Sequence, residues 1–282
     1  MQIYIEKDYS QLSKRAARII ADEINEKPDI VLGLATGSTP IGTYNELVRM
    51  HREEGLDFSQ VITFNLDEYY GIAPSNKQSY HYYMQHHLFD HINISSENVH
   101  IPDGKTKEVE EYCLMYDEEI KKYGGIDFQL LGVGENGHIG FNEPDGELKV
   151  LTHLSKLSES TIKANSRFFN SQNEVPDKAI TMGLGSIMQS KKIMLLASGY
   201  SKASIIAKIL TEGKTTTSIP ASSLLLHNCV TVILDEEAAC LYKSVSTRRG
   251  NSRDLQITRN SGFEKGGSNV ITYKECQSGH SL

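Results

Sequence analysis

Three sets of residues in the chain have the types and spacing to do chemistry. Asp67 follows the apolar run Val61-Ile-Thr-Phe-Asn-Leu66 and precedes Glu68-Tyr-Tyr70. A carboxylate at a partly buried strand end can have a raised pKa and serve as a general base, although a lone Asp is more commonly a turn or capping residue. His138 is the only one of the ten histidines set among glycines in a strand-end loop, with Asn136 and Glu143 close by. It can give or take a proton near neutral pH, with the amide and carboxylate fixing its tautomer; the alternative is a structural histidine that satisfies loop carbonyls. Thr36-Gly37-Ser38-Thr39, followed by Pro40, resembles an anion cradle in which glycine permits a sharp turn and hydroxyls and N–H groups face a phosphate or carboxylate. An ordinary turn capped by Thr39 is the plainer alternative. Arg167 and Lys202 are candidate phosphate partners, though surface Arg and Lys are usually only solvated.

Two other patterns are set aside. Gly132-Val-Gly-Glu-Asn-Gly137 matches GxGxxG, but the two further glycines and the proline of His138 to Gly146 cannot open the helix that a dinucleotide fingerprint needs. His81, His86, His87 and His91 lie on or beside a helical stretch and are expected to be solvated or structural, with no metal bound.

The elements that must hold these groups follow from periodicity. Short apolar runs at Ile3–Ile5, 29–34, 61–66, 126–133, 192–197 and 230–234 read as strands, and helical stretches separate them. The alternation predicts an α/β fold, a three-layer sandwich with a mostly parallel, doubly wound sheet and helices on both faces. Four reactive or glycine-rich sets (36–39, Asp67, 136–143 and 198–202) fall just past four of the strands. Open parallel sheets bind ligands there, so one shared site is expected. The polar, irregular stretch 144–172 is a candidate lid, with a surface excursion as the alternative.

Composition sets the bounds. The 282 residues are 39% hydrophobic and 23% charged, and the net charge of −7 argues against non-specific nucleic-acid binding. There is no run long enough to span a bilayer, no secretory signal and no CxxC pair among the four cysteines, so a cytoplasmic location with reduced thiols is expected. From Ser244 to Leu282 six Lys or Arg meet three acids, a net +3 that leaves −10 on the first 243 residues. The expected organisation is a single α/β domain over 1–243 and a polar, basic, disordered tail over 244–282.

Leu32-Gly-Leu-Ala-Thr-Gly-Ser-Thr-Pro40, Phe64-Asn-Leu-Asp-Glu-Tyr69, Ser79-Tyr-His81, Gly132-Val-Gly-Glu-Asn-Gly-His-Ile-Gly-Phe-Asn-Glu-Pro144, Ala164-Asn-Ser-Arg-Phe-Phe169 and Ala179-Ile-Thr-Met-Gly183 occur in this order. Together they closely resemble the glucosamine-6-phosphate deaminase family over residues 1–243. The resemblance implies an isomerising deamination of glucosamine 6-phosphate with water to fructose 6-phosphate and ammonia, in amino-sugar breakdown, without cofactor or metal. By resemblance His138 assists ring opening, tuned by Glu143 and Asn136, and Asp67 moves a proton between C2 and C1. The same resemblance implies that Thr36, Gly37, Ser38, Thr39, Arg167 and Lys202 hold the phosphate.

Two departures matter. Many members have an aspartate where this chain has Asn136, so the histidine is expected to be less biased toward its protonated form. The stretch corresponding to the segment that binds the activator N-acetylglucosamine 6-phosphate reads Gly146-Glu-Leu-Lys-Val-Leu-Thr-His-Leu-Ser155 and lacks the arginine. Weak or absent activation is expected, and either a monomer or a homo-oligomer is compatible. The rivals are a 6-phosphogluconolactonase-like hydrolase, which needs no base at C2, and a sugar-phosphate-binding effector domain, which should carry a helix-turn-helix that is not seen.

Overall fold

Along Lys192–Ala197 the side chains of Ile193, Leu195 and Ala197 enter one apolar cluster and those of Met194 and Leu196 enter another. A strand buried on both faces has to be apolar throughout, and this one sits centrally in a sheet with a core on each side. The structure is a computed structural model that describes residues 1–169, 171–248, 256–259 and 269–272.

In chain order the elements begin with β1 (Gln2–Glu6), α1 (Tyr9–Glu26), β2 (Val31–Leu34), α2 (Ile41–Glu54), β3 (Ile62–Asn65), β4 (Asp67–Tyr69), α3 (Tyr80–His87) and β5 (Val99–His100). Next come α4 (Val109–Lys122), β6 (Phe128–Gly132), β7 (His153–Lys156), α5 (Glu159–Asn165), β8 (Lys178–Thr181), α6 (Leu184–Met188) and β9 (Lys192–Ala197). The series ends with α7 (Ala203–Thr211), β10 (Val230–Asp235), α8 (Glu236–Arg248), β11 (Gln256–Arg259) and β12 (Asn269–Thr272).

The main sheet has the order β11-β12-β1-β10-β9-β6-β2-β3-β5. All its pairings from β1 to β5 are parallel, as the alternating sequence predicts. On one face α1 and α2 close over Leu32, Leu34 and Leu130 through Leu12, Ile20 and Leu47. On the other, Ile187, Ile205, Ile209 and Tyr242 from α6, α7 and α8 cover Ile3, Leu131 and Leu195. Burying each such aliphatic side chain contributes about 1.5–3 kcal/mol, which is what holds the three layers together.

Two features depart from the sequence expectation. A separate antiparallel sheet, β4-β8-β7, stands beside the main one. It places β7 inside the stretch expected to be an irregular lid. Among the described residues of that stretch, α5 and the short turn of 3-10 helix at Ser166–Phe168 border the loop at 36–39. The boundary expected at 243 falls within α8, and β12 pairs antiparallel with β1 and with β11. The rest of the expected tail, 249–255, 260–268 and 273–282, with Cys276, lies outside the described residues.

Candidate functional site

The strands β9, β6, β2 and β3 are successive neighbours in the sheet. The loops that leave their carboxyl ends therefore meet, and they enclose a cavity of about 290 Å³. Thr36, Gly37, Ser38, Thr39, Asp67, His138, Arg167 and Lys202 all line it. Asn136 and Glu143 stand just behind His138. Every candidate residue from the sequence is thus brought to one place. A larger hollow of about 720 Å³ beside residues 70–78 holds none of them.

The loop after β2 is buttressed from below by three phenols. Tyr44 Oη donates to the Ala35 carbonyl at 2.5 Å, Tyr83 Oη to that of Gly37 at 2.6 Å, and Tyr9 Oη to those of Ser38 and Thr39. Gly37 has φ +96°, a conformation for which glycine is the default residue. Pro40 occupies the N-cap of α2, and no side chain caps that helix, so the alternative of a turn capped by Thr39 is not what forms. The carbonyl side of the loop is taken up by phenols, and its hydroxyls border the cavity.

Arg167 reaches this loop from above, its Nη2 donating to Ser38 Oγ at 3.1 Å, with its guanidinium lying 4.7 Å from the Phe168 ring centroid. Lys202 follows Gly199 (φ +88°), whose N–H is held, together with Ser198 Oγ, by the buried Asp235 carboxylate. Burial pushes the Lys202 ammonium below its ordinary pKa; Glu135 opposes that shift and Arg167 adds to it. A part-buried ammonium and an exposed guanidinium at one cavity, with hydroxyls beside them, suit a multiply charged anion.

Asp67 opens β4, opposite Thr181 of β8. It is only 6% exposed. Burial drives its carboxyl well above the usual carboxylate range, and the charge of Glu68 adds to the shift. A methyl group at Gly140 would come within 2.9 Å of Thr181 Oγ1 and 3.4 Å of Asp67 Oδ2, so glycine keeps that approach open.

The imidazole of His138 lies on the Gly134 backbone so closely that a methyl there would overlap the ring. Nδ1 is 3.5 Å from Glu143 Oε2 and 3.3 Å from Thr161 Oγ1. With Nδ1 engaged by the carboxylate, Nε2 is left to exchange a proton within the cavity. Burial alone would raise the Glu143 carboxyl, but the hydrogen bond and charge of His138, with hydrogen bonds from Thr161 and Asn136, hold it down at about 2. Asn136 acts otherwise than its sequence position suggests. Its Nδ2 donates to Glu143 Oε2 at 2.7 Å and its Oδ1 accepts the backbone N–H of His138, so it steadies the carboxylate and the loop and does not bond the ring.

Sequence reasoning missed Tyr80 and Thr161 as cavity walls, along with the three buttressing phenols. All five lie on helices, away from the strand-end loops that stand out in the sequence. Among the described residues no group of three His, Cys, Asp or Glu is placed to hold a metal ion, and no helix is long and apolar enough to cross a membrane.

The family described as glucosamine-6-phosphate isomerases/6-phosphogluconolactonase matches residues 6–233. The glucosamine-6-phosphate deaminase of Thermoanaerobacter sp. (strain X514) is 57% identical over 241 residues, covering 86% of this chain and 95% of that one. That of Clostridium perfringens (strain 13 / Type A) is 54% identical over 243 residues, covering 86% and 100%. A solved structure of a monomeric glucosamine-6-phosphate deaminase superposes with a TM-score of 0.84 at 48% identity, covering 86% of this chain and all of that one. The 6-phosphogluconolactonase of Trypanosoma brucei superposes at 0.67 with 21% identity, a likeness of fold alone, covering 84% and 97%.

Proposed function

The chain belongs to the family of glucosamine-6-phosphate isomerases and 6-phosphogluconolactonases, and on that premise we propose how it acts. It is a glucosamine-6-phosphate deaminase: the substrate and water give fructose 6-phosphate and ammonia. The observation that carries the reading is the meeting of Asp67 and His138 in one cavity whose walls also hold Arg167, Lys202 and the 36–39 loop.

The phosphate lies against Arg167, Lys202 and the hydroxyls of Ser38 and Thr39. His138, oriented through Nδ1 by Glu143, moves a proton at the ring oxygen and opens the pyranose. Asp67 takes the C2 proton of the open-chain amino aldehyde and returns it to C1 while the substrate's ammonium gives a proton to O1, which leaves a C1 hydroxyl and a C2 iminium. Water adds at C2 and ammonia departs, giving the ketose. A base with raised proton affinity is matched to a weakly acidic C–H next to a carbonyl. Lactone hydrolysis would need no base at this position.

Incubation with glucosamine 6-phosphate tests the reading by ammonia release. Release is expected, together with no acceleration of 6-phosphogluconolactone hydrolysis; acceleration of the lactone without ammonia would give the chain the other activity of its family.

Arg167→Ala and Lys202→Ala each remove a charge-assisted contact worth about 1.5–3 kcal/mol. Each is expected to raise KM by about 10- to 100-fold with kcat changed little, and to weaken competition by inorganic phosphate in parallel. Steady-state kinetics check both, and an unchanged KM would remove these residues from phosphate binding.

Every group in this reading comes from one chain, and the likeness to a monomeric deaminase supports action as a single copy. With no arginine in 146–155, the rate is expected to stay the same when N-acetylglucosamine 6-phosphate is added. Activation in a steady-state assay would contradict that expectation.

A further inference from the structure

Behind Asp67 lies a second carboxylate for which the mechanism above has no use. Side chains alternate along a strand, so Glu68 leaves β4 on the face opposite Asp67 and Tyr69. It is 1% exposed. Four N–H donors converge on it. Glu68 Oε1 accepts from the backbone of Tyr69 and of Tyr80, both at 2.9 Å. Oε2 accepts from the His81 backbone at 3.0 Å and from His81 Nδ1 at 2.9 Å. Burying a carboxylate is costly unless its lone pairs are met, and here they are met completely.

The consequences reach the cavity by two routes. Tyr80 and His81 are the first residues of α3, so Glu68 takes that helix's first two N–H groups while Ser79 Oγ takes that of Tyr82. Glu68 thereby fixes Tyr80, whose ring walls the cavity and packs on that of Tyr69 with centroids 4.9 Å apart. The second route is charge. The groups around Asp67 are the phenols of Tyr69, Tyr80 and Tyr116, with His138 in the same cavity. Glu68, buried at the next position of the same strand, is the neighbouring carboxylate whose charge acts on Asp67. Facing Glu68 in turn is His81, which borders a separate hollow of about 390 Å³ with His100 and Glu119, away from the substrate.

We propose that the Glu68–His81 pair is a positioning and tuning device for the proposed base, setting the pH at which Asp67 becomes competent and holding Tyr80 beside it. The inference rests on the assignment of Asp67 as base. A negative charge nearby favours the protonated form of Asp67; a donor on Glu68 offsets part of that charge.

The test is the acid limb of kcat against pH in Glu68→Gln, His81→Phe and Asp67→Asn. Glu68→Gln removes the charge and is expected to move the limb down by about one pH unit. His81→Phe removes a donor but leaves the charge, and is expected to move the limb up by about half a unit. A purely structural pair would lower the melting temperature and the turnover together and leave the limb in place, and that result in either variant overturns the proposal. Should Glu68→Gln fail to fold, His81→Phe alone decides. Asp67→Asn separates the levels: near-normal turnover there removes the base assignment itself, whereas an inactive Asp67→Asn with unmoved limbs removes only the role of Glu68 and His81.

Discussion

Asp67→Asn is expected to lose turnover by about 10³-fold and yet to melt higher than the wild type at pH 7. The loss follows from removal of a positioned base, an effect of about 10²–10⁴-fold. The gain in stability has the same origin as the catalytic fitness of Asp67. Burial, and then the charge of Glu68, raise its carboxyl in the folded state above the unfolded value. A group shifted in that direction contributes stability fully below its unfolded pKa and loses it as pH rises through the folded pKa. At neutral pH the wild type therefore bears the cost of that upward shift, and an isosteric amide, which does not titrate, does not. Each kcal/mol recovered lifts the midpoint by about 2–4 °C in a chain of this size. Below about pH 4, where Asp67 is protonated folded or unfolded, the two melting curves should converge. Thermal unfolding at pH 7 and at pH 3.5 checks this, and a variant that melts lower at pH 7 would contradict it.

Glu143→Gln is expected to do the reverse to stability while also costing activity. Although burial works against the charged form, His138, Thr161 and Asn136 hold the Glu143 carboxyl at about 2. Its folded pKa is below the unfolded one, so its contribution is present above about pH 4.3 and lost as pH falls through 2. The glutamine variant should melt lower at pH 7 and match the wild type near pH 2. It presents an amide where the imidazole N–H needs an anion, so turnover is expected to fall by about 10²-fold. Two carboxyl groups of one site would then show opposite signs in the same melting experiment. Environments that push two carboxyl groups apart in this way assign one as base and the other as the partner of an acid–base histidine.

Much of this site was legible in the sequence because its parts follow apolar runs. Residues 29–34, 61–66, 126–133 and 192–197 are continuous enough to read as buried strands, and their order in the sheet brings the four loops together. The small sheet was not legible. Strands β4, β7 and β8 are three or four residues long and carry Asp67, Glu68, His153 and Lys178, so periodicity has little to register. The phenols beneath the 36–39 loop were missed for another reason. Tyr9 and Tyr83 reach it across about 30 and 46 positions of sequence, and only the packing of α1 and α3 against the sheet makes them neighbours. Asn136 was placed correctly but given the wrong partner, because sequence proximity to His138 does not reveal which atom of a loop a side chain will meet. The strands β11 and β12 carry too few apolar residues at regular spacing to be read from a basic, glycine-rich tail.

The claim at the centre of the account is that one carboxylate, Asp67, drives isomerisation and deamination in a single cavity. The measurement that tests it most directly is the yield of both products from the same reaction, in the wild type and in Asp67→Asn at equal folded protein. The account predicts ammonia and fructose 6-phosphate in equal amounts from the wild type, and the loss of both together in the variant. Ammonia without fructose 6-phosphate, or a variant that makes both at close to the wild-type rate, would contradict it.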